Sequence, residues 1–317
     1  MREIGGYLGL ESFPGKEYYS DLIAVNSGRN ALLYLLKARK IRKLYLPQYL
    51  CESVSLLCRR EGYDYSLYHI DKKFRPVFDQ TLKDGEYLYV VNSFGQLDQD
   101  TILELKAKHN QIIVDNVQAF FQRPLPGVDT VYSCRKFFGV PDGGYVATDA
   151  CIAEDLRQDV SRKRMGHILG RFDEDCASMF YEDFRNNDRI FAELPLMTMS
   201  RLTHNLMQRI DYPAARARRE QNYAFIHESL EQSNPLKLRL PEGPYAYPFY
   251  CDNGMEVKRR LAERGIYVAT LWPVLLRCDG RLEKKYAENI LPLPIDQRYG
   301  EADMEYMLEE LEKCMNI

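Results

Sequence analysis

Apolar positions along the first 150 residues follow two alternating patterns. Short runs of β-favouring residues, "KLYLP" at 43–47, "YDYSLYHI" at 63–70, "EYLYVVN" at 86–92 and "QIIVDN" at 111–116, read as strands. Between them, "RNALLYLLKARK" at 29–40, "CESVSLLCRREG" at 51–62 and "QDTILELKAKHN" at 99–110 space their apolar residues as helices do, and the second stops at Gly62, a residue suited to a helix end. This repeated alternation predicts an α/β fold, a mainly parallel sheet with helices on both faces. Two more β-rich runs, "VDTVYS" at 128–133 and "GGYVATD" at 143–149, flank a short polar turn that holds one lysine, Lys136.

The pattern changes at about residue 150. Residues 151–232 are charged and read as helical, whereas 244–317 mixes expected strands, "YAYPFYC" at 245–251 and "IYVATLWP" at 266–273, with helices over "MEVKRRLAERG" and the terminal "EADMEYMLEELEKC". The expected division is a large α/β domain over 1–205 and a smaller C-terminal α+β domain over 206–317.

Composition narrows the classes. The 317 residues are 45% hydrophobic, and 43 basic residues nearly balance 46 acidic ones, so no global charge draws the chain to nucleic acid or to a membrane surface. No apolar run reaches the length of a membrane span, and the opening "MREIGGYLGLESFPGKEYY" lacks the apolar core of a secretion signal. The eight cysteines show no CxxC spacing, which argues against a metal site or a disulfide framework and fits reduced thiols in a cytoplasm.

In α/β folds, ligand groups collect where strands end, and three such places stand out. In "AVNSGRNALLYLL", Ser27 and Gly28 open a helix whose free N–H groups and dipole suit a phosphate, although a serine there also serves as an ordinary cap. In "QIIVDNVQAFF", Asp115 ends a strand with Gln118 three residues on; the carboxylate suits a protonated pyridine nitrogen, or it caps the following turn. In "VYSCRKFFGVPDGGYV", Lys136 has the setting of an amine that forms a Schiff base, with Ser133 before it and Gly143–Gly144 after it. The competing reading is a solvated loop lysine, which the neighbouring Phe137 and Phe138 weaken.

With "NSGRNAL", "YLPQYLCESV", "NSFGQLDQDTILELKAKHNQIIVDNVQAFF", "SCRKFFGVPDGGYV" and "ILPLPIDQRYGEADMEYMLEEL" in this order, the chain resembles the DegT/DnrJ/EryC1 group of aminotransferases over nearly its whole length. The resemblance implies the fold-type I architecture of aspartate aminotransferase and pyridoxal 5'-phosphate as cofactor. It also implies a homodimer and transfer of an amino group from a donor such as glutamate to a keto sugar carried on a nucleotide, for polysaccharide biosynthesis. Carried over by residue, Lys136 would bond the cofactor and shuttle the proton, Asp115 would pair with the pyridine nitrogen, and Gln118 would approach the phenolic oxygen. Ser27, Gly28, Arg29 and Ser133 would surround the phosphate, with Tyr49, or else Cys51, against the ring. No metal is implied.

The chain departs from the group's pattern at Arg29, where a small hydroxyl residue is usual, and at Asn92–Ser93, where a histidine often stands. The serine-to-lysine spacing is two residues shorter than usual, and the segment after the lysine turn is short. Another pyridoxal phosphate reaction on a smaller substrate, or a binding protein that keeps the fold without turnover, are the competing readings. A dinucleotide-binding enzyme is excluded because no GxGxxG follows any expected strand.

Overall fold

A computed structural model describes residues 4–278 and 281–315. Strand β1 (Ile23–Val25) leads into helix α1 (Gly28–Ala38), followed by β2 (Lys43–Pro47), α2 (Glu52–Glu61), β3 (Asp64–Ile70) and the short β4 (Pro76–Val77). Next come β5 (Glu86–Val91), α3 (Gln99–His109), β6 (Ile112–Asp115), β7 (Asp129–Ser133) and β8 (Gly144–Ala147). Four helices then run in succession, α4 (Gly166–Glu174), α5 (Tyr181–Glu193), α6 (Arg201–Met207) and α7 (Tyr212–Leu230). The chain closes with β9 (Tyr247–Tyr250), α8 (Gly254–Glu263), α9 (Leu282–Asn289), β10 (Ile290–Leu293) and α10 (Glu301–Met315).

The large sheet has eight strands in the order β1-β8-β7-β6-β5-β2-β3-β4. Its centre, β3-β2-β5-β6-β7, is parallel throughout, and β8, β1 and β4 run antiparallel to their inner neighbours. Strands buried on both faces explain the near-continuous apolar runs. Leu44, Leu46, Tyr89, Val91, Ile113, Val131 and Val146 face α1 and α2. Tyr45, Leu88, Val90, Ile112 and Val114 face the other way and share a core with Leu236, Leu271, Leu275, Tyr286 and Ile290 from the C-terminal part. That part also has a core of its own, in which Tyr223, Phe249, Leu261, Leu291 and Leu311 meet.

Local chemistry sets the boundaries. Ser27 caps α1 by accepting a hydrogen bond from the Asn30 N–H, and α2 ends at Gly62, whose φ of 75° is in the left-handed region. The strand expected over 266–273 does not form. Residues 266–270 are irregular, Ile266 is buried in the C-terminal core and Leu271 in the sheet-face core, so the alternating apolar residues mark a chain crossing between two cores. The second sheet is instead β9 with β10, and Pro248 faces Pro292 across it. Prolines argue against a strand, but in a two-stranded sheet each strand has a free edge for residues without an N–H. The helical reading of residues 151–160 is also corrected: this stretch is irregular and hydrogen-bonds alongside residue 198.

Candidate active site

Register brings the three sequence motifs to one edge of the sheet. Gly144 lies opposite Val25 on one side and Ser133 on the other, and Asp115 lies opposite Val131 and Val91, so the motif residues gather at the carboxyl ends of β1, β6 and β7. The glycine pair is needed there. Gly143 has a φ of +112°, and a Cβ on Gly144 would stand 2.7 Å from the Ser27 carbonyl carbon and 2.8 Å from the Gly28 nitrogen. A Cβ on Gly28 would lie 3.0 Å from that of Ser133. Ser27, Gly28, Ser133 and Gly144 thus form one cradle at the N-terminus of α1, where the first N–H groups of the helix lack partners within it.

Arg29 adds an unsatisfied cation beside that cradle. Its Nε and Nη1 are buried without a hydrogen-bond partner, and burial lowers its pKa, with Cys51 and Asp188 acting in the opposite sense. A buried guanidinium without an acceptor is costly, and a bound phosphate is the acceptor it fits. The cradle and this orphaned cation together match the anionic end of pyridoxal phosphate.

The pyridine end is matched by Asp115. This carboxylate is buried, accepting hydrogen bonds from the Tyr89 hydroxyl at 2.7 Å and the Val117 N–H at 2.9 Å. Burial holds its carboxyl above the usual range; the Val117 and Tyr89 hydrogen bonds and the Lys136 charge act the other way. Each carboxylate oxygen retains capacity for another donor, so a protonated ring nitrogen would relieve the cost of burying the charge. Gln118 is buried close by, its Oε1 accepting from the Phe94 N–H at 2.8 Å.

Lys136 stands in the 3-10 turn Cys134–Lys136 that follows β7, its ammonium 5.2 Å from the centre of the Trp272 ring and 5.7 Å from that of Tyr245. The turn is held from the C-terminal part. Arg219, fully buried on α7, donates to the Phe137 carbonyl at 3.2 Å, the Pro244 carbonyl at 2.9 Å and Gln297 Oε1 at 2.7 Å, and Gln297 itself donates to Phe137 O at 2.8 Å. Burial lowers the Arg219 pKa to about 10, so the cation depends on these acceptors. Arg219→Met will leave buried carbonyls unpaired and cost about 3 kcal/mol in urea unfolding. An unchanged midpoint would show that the latch contributes nothing.

Tyr49 is at the same sheet edge but lies inside the sheet-face core, its ring centre 6.1 Å from that of Phe74 and 6.0 Å from that of Tyr286, with its hydroxyl unpartnered. Cys51, the alternative to it, is partly exposed at the start of α2. In the charged stretch at 161–171, Arg164 is not a free donor: it pairs with Asp159 at 2.7 Å while both are buried, and Arg162 and Lys163 are exposed. Sequence reasoning missed Tyr89, Arg219, Tyr245, Trp272 and Gln297. The one available signal was the chain's single tryptophan beside a proline in "TLWPVLL".

No protein-family model matches the chain, and no curated protein matches it. Solved structures do. S. venezuelae DesV, solved in complex with a ketimine intermediate, superposes with a TM-score of 0.64 at 18% identity over 93% of this chain and 85% of that one. NtdA from Bacillus subtilis with bound PMP gives 0.66 at 15% identity over 93% and 73% of the two chains. Helicobacter pylori PseC, an aminotransferase involved in the biosynthesis of pseudoaminic acid, gives 0.60 at 14% identity over 92% and 85%. The chain therefore has the fold of these aminotransferases, the fold-type I architecture with its mainly parallel sheet and a second small sheet.

Proposed function

We propose that this chain is a pyridoxal phosphate-dependent aminotransferase of the DegT/DnrJ/EryC1 group, moving an amino group from a donor such as glutamate to a keto sugar borne on a nucleotide. The observation that carries the reading is the convergence of Lys136, Asp115 and the Ser27–Gly28–Ser133 cradle with its unpaired Arg29 at one sheet edge. When bound, pyridoxal phosphate supplies an electron-poor ring that takes up the electron pair left when an amine's α-proton departs. Asp115 would hold the proton on the ring nitrogen, Gln118 would stand on the phenolic side, and the cradle with Arg29 would hold the phosphate. Lys136 Nζ would hold the cofactor and, when free, would carry a proton to and from the substrate. Tyr49 is proposed for one face of the ring.

The same reading takes residues 1–205 as the cofactor-binding part and 206–317 as the smaller one, and the protein as a cytoplasmic homodimer acting in polysaccharide biosynthesis. Exposed Leu169, Phe172, Met179, Tyr181 and Phe184 on and between α4 and α5 support a partner surface there. Among the described residues no helix is long and apolar enough to cross a membrane, and no cluster of His, Cys, Asp and Glu suits a metal. The test is spectral. Purified protein with pyridoxal phosphate will be yellow, glutamate will convert the cofactor to its aminated form, and nucleotide keto sugars will restore the aldehyde; a cofactor that no amino donor converts would defeat the proposal.

A further inference from the structure

Among the described residues the Asp115 carboxylate has two hydrogen-bond donors. Its Oδ1 accepts from the Val117 N–H at 2.9 Å and its Oδ2 from the Tyr89 hydroxyl at 2.7 Å, with carboxylate and tyrosine both buried. We propose that Tyr89 is a positioning residue for the reaction of the proposed function, on which this inference rests: its hydroxyl keeps Asp115 ionised, so that a proton shared between this carboxylate and the pyridine nitrogen stays on the ring.

Strand geometry selects a tyrosine. β5 and β6 pair in parallel with Tyr89 opposite Ile113 and Val91 opposite Asp115, so Tyr89 stands one side-chain repeat back from Asp115 on the same face. That diagonal spans about 7–8 Å, which a phenol covers and a serine or threonine hydroxyl does not. Tyr89 shares the core facing α1 and α2 with Leu44, Leu46 and Ile113, and its carbonyl accepts from the Tyr68 hydroxyl at 2.7 Å. Ring and backbone are thus held in place before any ligand arrives.

Charge balance gives the direction of the effect. In a buried site, a carboxylate beside a pyridinium competes with the neutral pair of carboxylic acid and pyridine, because burial disfavours both charges. Each donor to the carboxylate tips the balance toward the charged pair, and hydrogen bonds to ionised groups are the strong ones. Burial and the Asp115 charge push the Tyr89 hydroxyl's pKa well above its ordinary value, so it stays a donor and does not surrender its proton. Lys136 also favours the ionised carboxylate, but the charge of a reacting amine changes during turnover. Tyr89 supplies the constant part.

The test loads the protein with pyridoxal phosphate carrying nitrogen-15 in the ring, whose NMR signal separates protonated from neutral pyridine, and follows that signal with pH. Tyr89→Phe will lower the pH at which the ring loses its proton by about one unit, and will lower kcat about tenfold while the KM for glutamate stays within about threefold. Tyr89→3-fluorotyrosine, a more acidic and so stronger donor of nearly the same shape, will raise that pH, which keeps the test decisive if the phenylalanine protein holds no cofactor. Tyr68→Phe deletes the neighbouring buried hydroxyl without touching Asp115 and will leave the signal where wild type has it, separating loss of this bond from loss of packing. The other titratable groups that act on the pair, Lys136 on Asp115 and Cys51 and Cys58 on Tyr89, are the same in all three variants. A signal unmoved by either Tyr89 variant, or moved as far by Tyr68→Phe, would overturn the inference. A wild-type protein that binds no pyridoxal phosphate, or binds it with a neutral ring nitrogen at every pH, would instead refute the functional reading of the site.

Discussion

Lys136→Ala will lower turnover by about 10⁴-fold or more, because it removes both the covalent tether and the positioned proton carrier, whose contribution alone reaches about 10²–10⁴. Folding will hardly change. The Lys136 side chain is partly exposed, and its contacts with the Trp272 and Tyr245 rings are worth about 0.5–1 kcal/mol. Melting and urea curves of the variant will therefore overlay those of the wild type within that margin, separating a chemical loss from a structural one. Added methylamine will restore part of the rate if the missing function is proton transfer. A variant that keeps turnover within tenfold of wild type would remove Lys136 from the chemistry.

Asp115→Asn will lower kcat by about 10²–10³, the range seen when a group that stabilises developing charge is deleted in a buried site. Asparagine preserves the shape and can still accept from the Val117 N–H, so the variant will bind cofactor yet stabilise the ring's charge poorly. Stability will move in the opposite direction. Burial raises the carboxyl's pKa in the folded, cofactor-free protein, so the folded state holds its proton longer than the unfolded state as pH rises. The associated stability is complete below the ordinary carboxylate range and is lost as pH climbs through the folded pKa. Without cofactor, the asparagine variant will melt higher than wild type at neutral pH, and the gap will close in acid. Wild-type turnover by the variant would reduce Asp115 to a cap, and a gap that widens in acid would contradict the burial argument.

Much of this site was legible because its parts sit where short motifs meet strand ends. "KLYLP" is β2 to the residue, and Gly62 ends α2 as expected. Asp115 and Ser133 end β6 and β7, and parallel register then carries them to one edge. The unread residues are those supplied by distant parts of the chain. Arg219 lies 82 positions from the carbonyl it holds, and nothing in "RARREQNY" distinguishes a buried latch from a solvated helix face. Trp272 and Tyr245 reach Lys136 only because Leu271, Tyr286 and Ile290 bury themselves on the face of the large sheet, a tertiary contact without local signature. The stretch at 266–273 misled for the same reason, since two cores imitated the alternation of one strand.

The central claim, that Lys136 is the residue that binds the cofactor, is tested most directly by reductive trapping. Wild-type protein loaded with pyridoxal phosphate is treated with borohydride, digested and mapped by mass spectrometry. A single pyridoxyl label on the peptide containing Lys136, lost in Lys136→Ala, is the expected result. A label on another lysine, or none on a protein that holds the cofactor, would contradict the account.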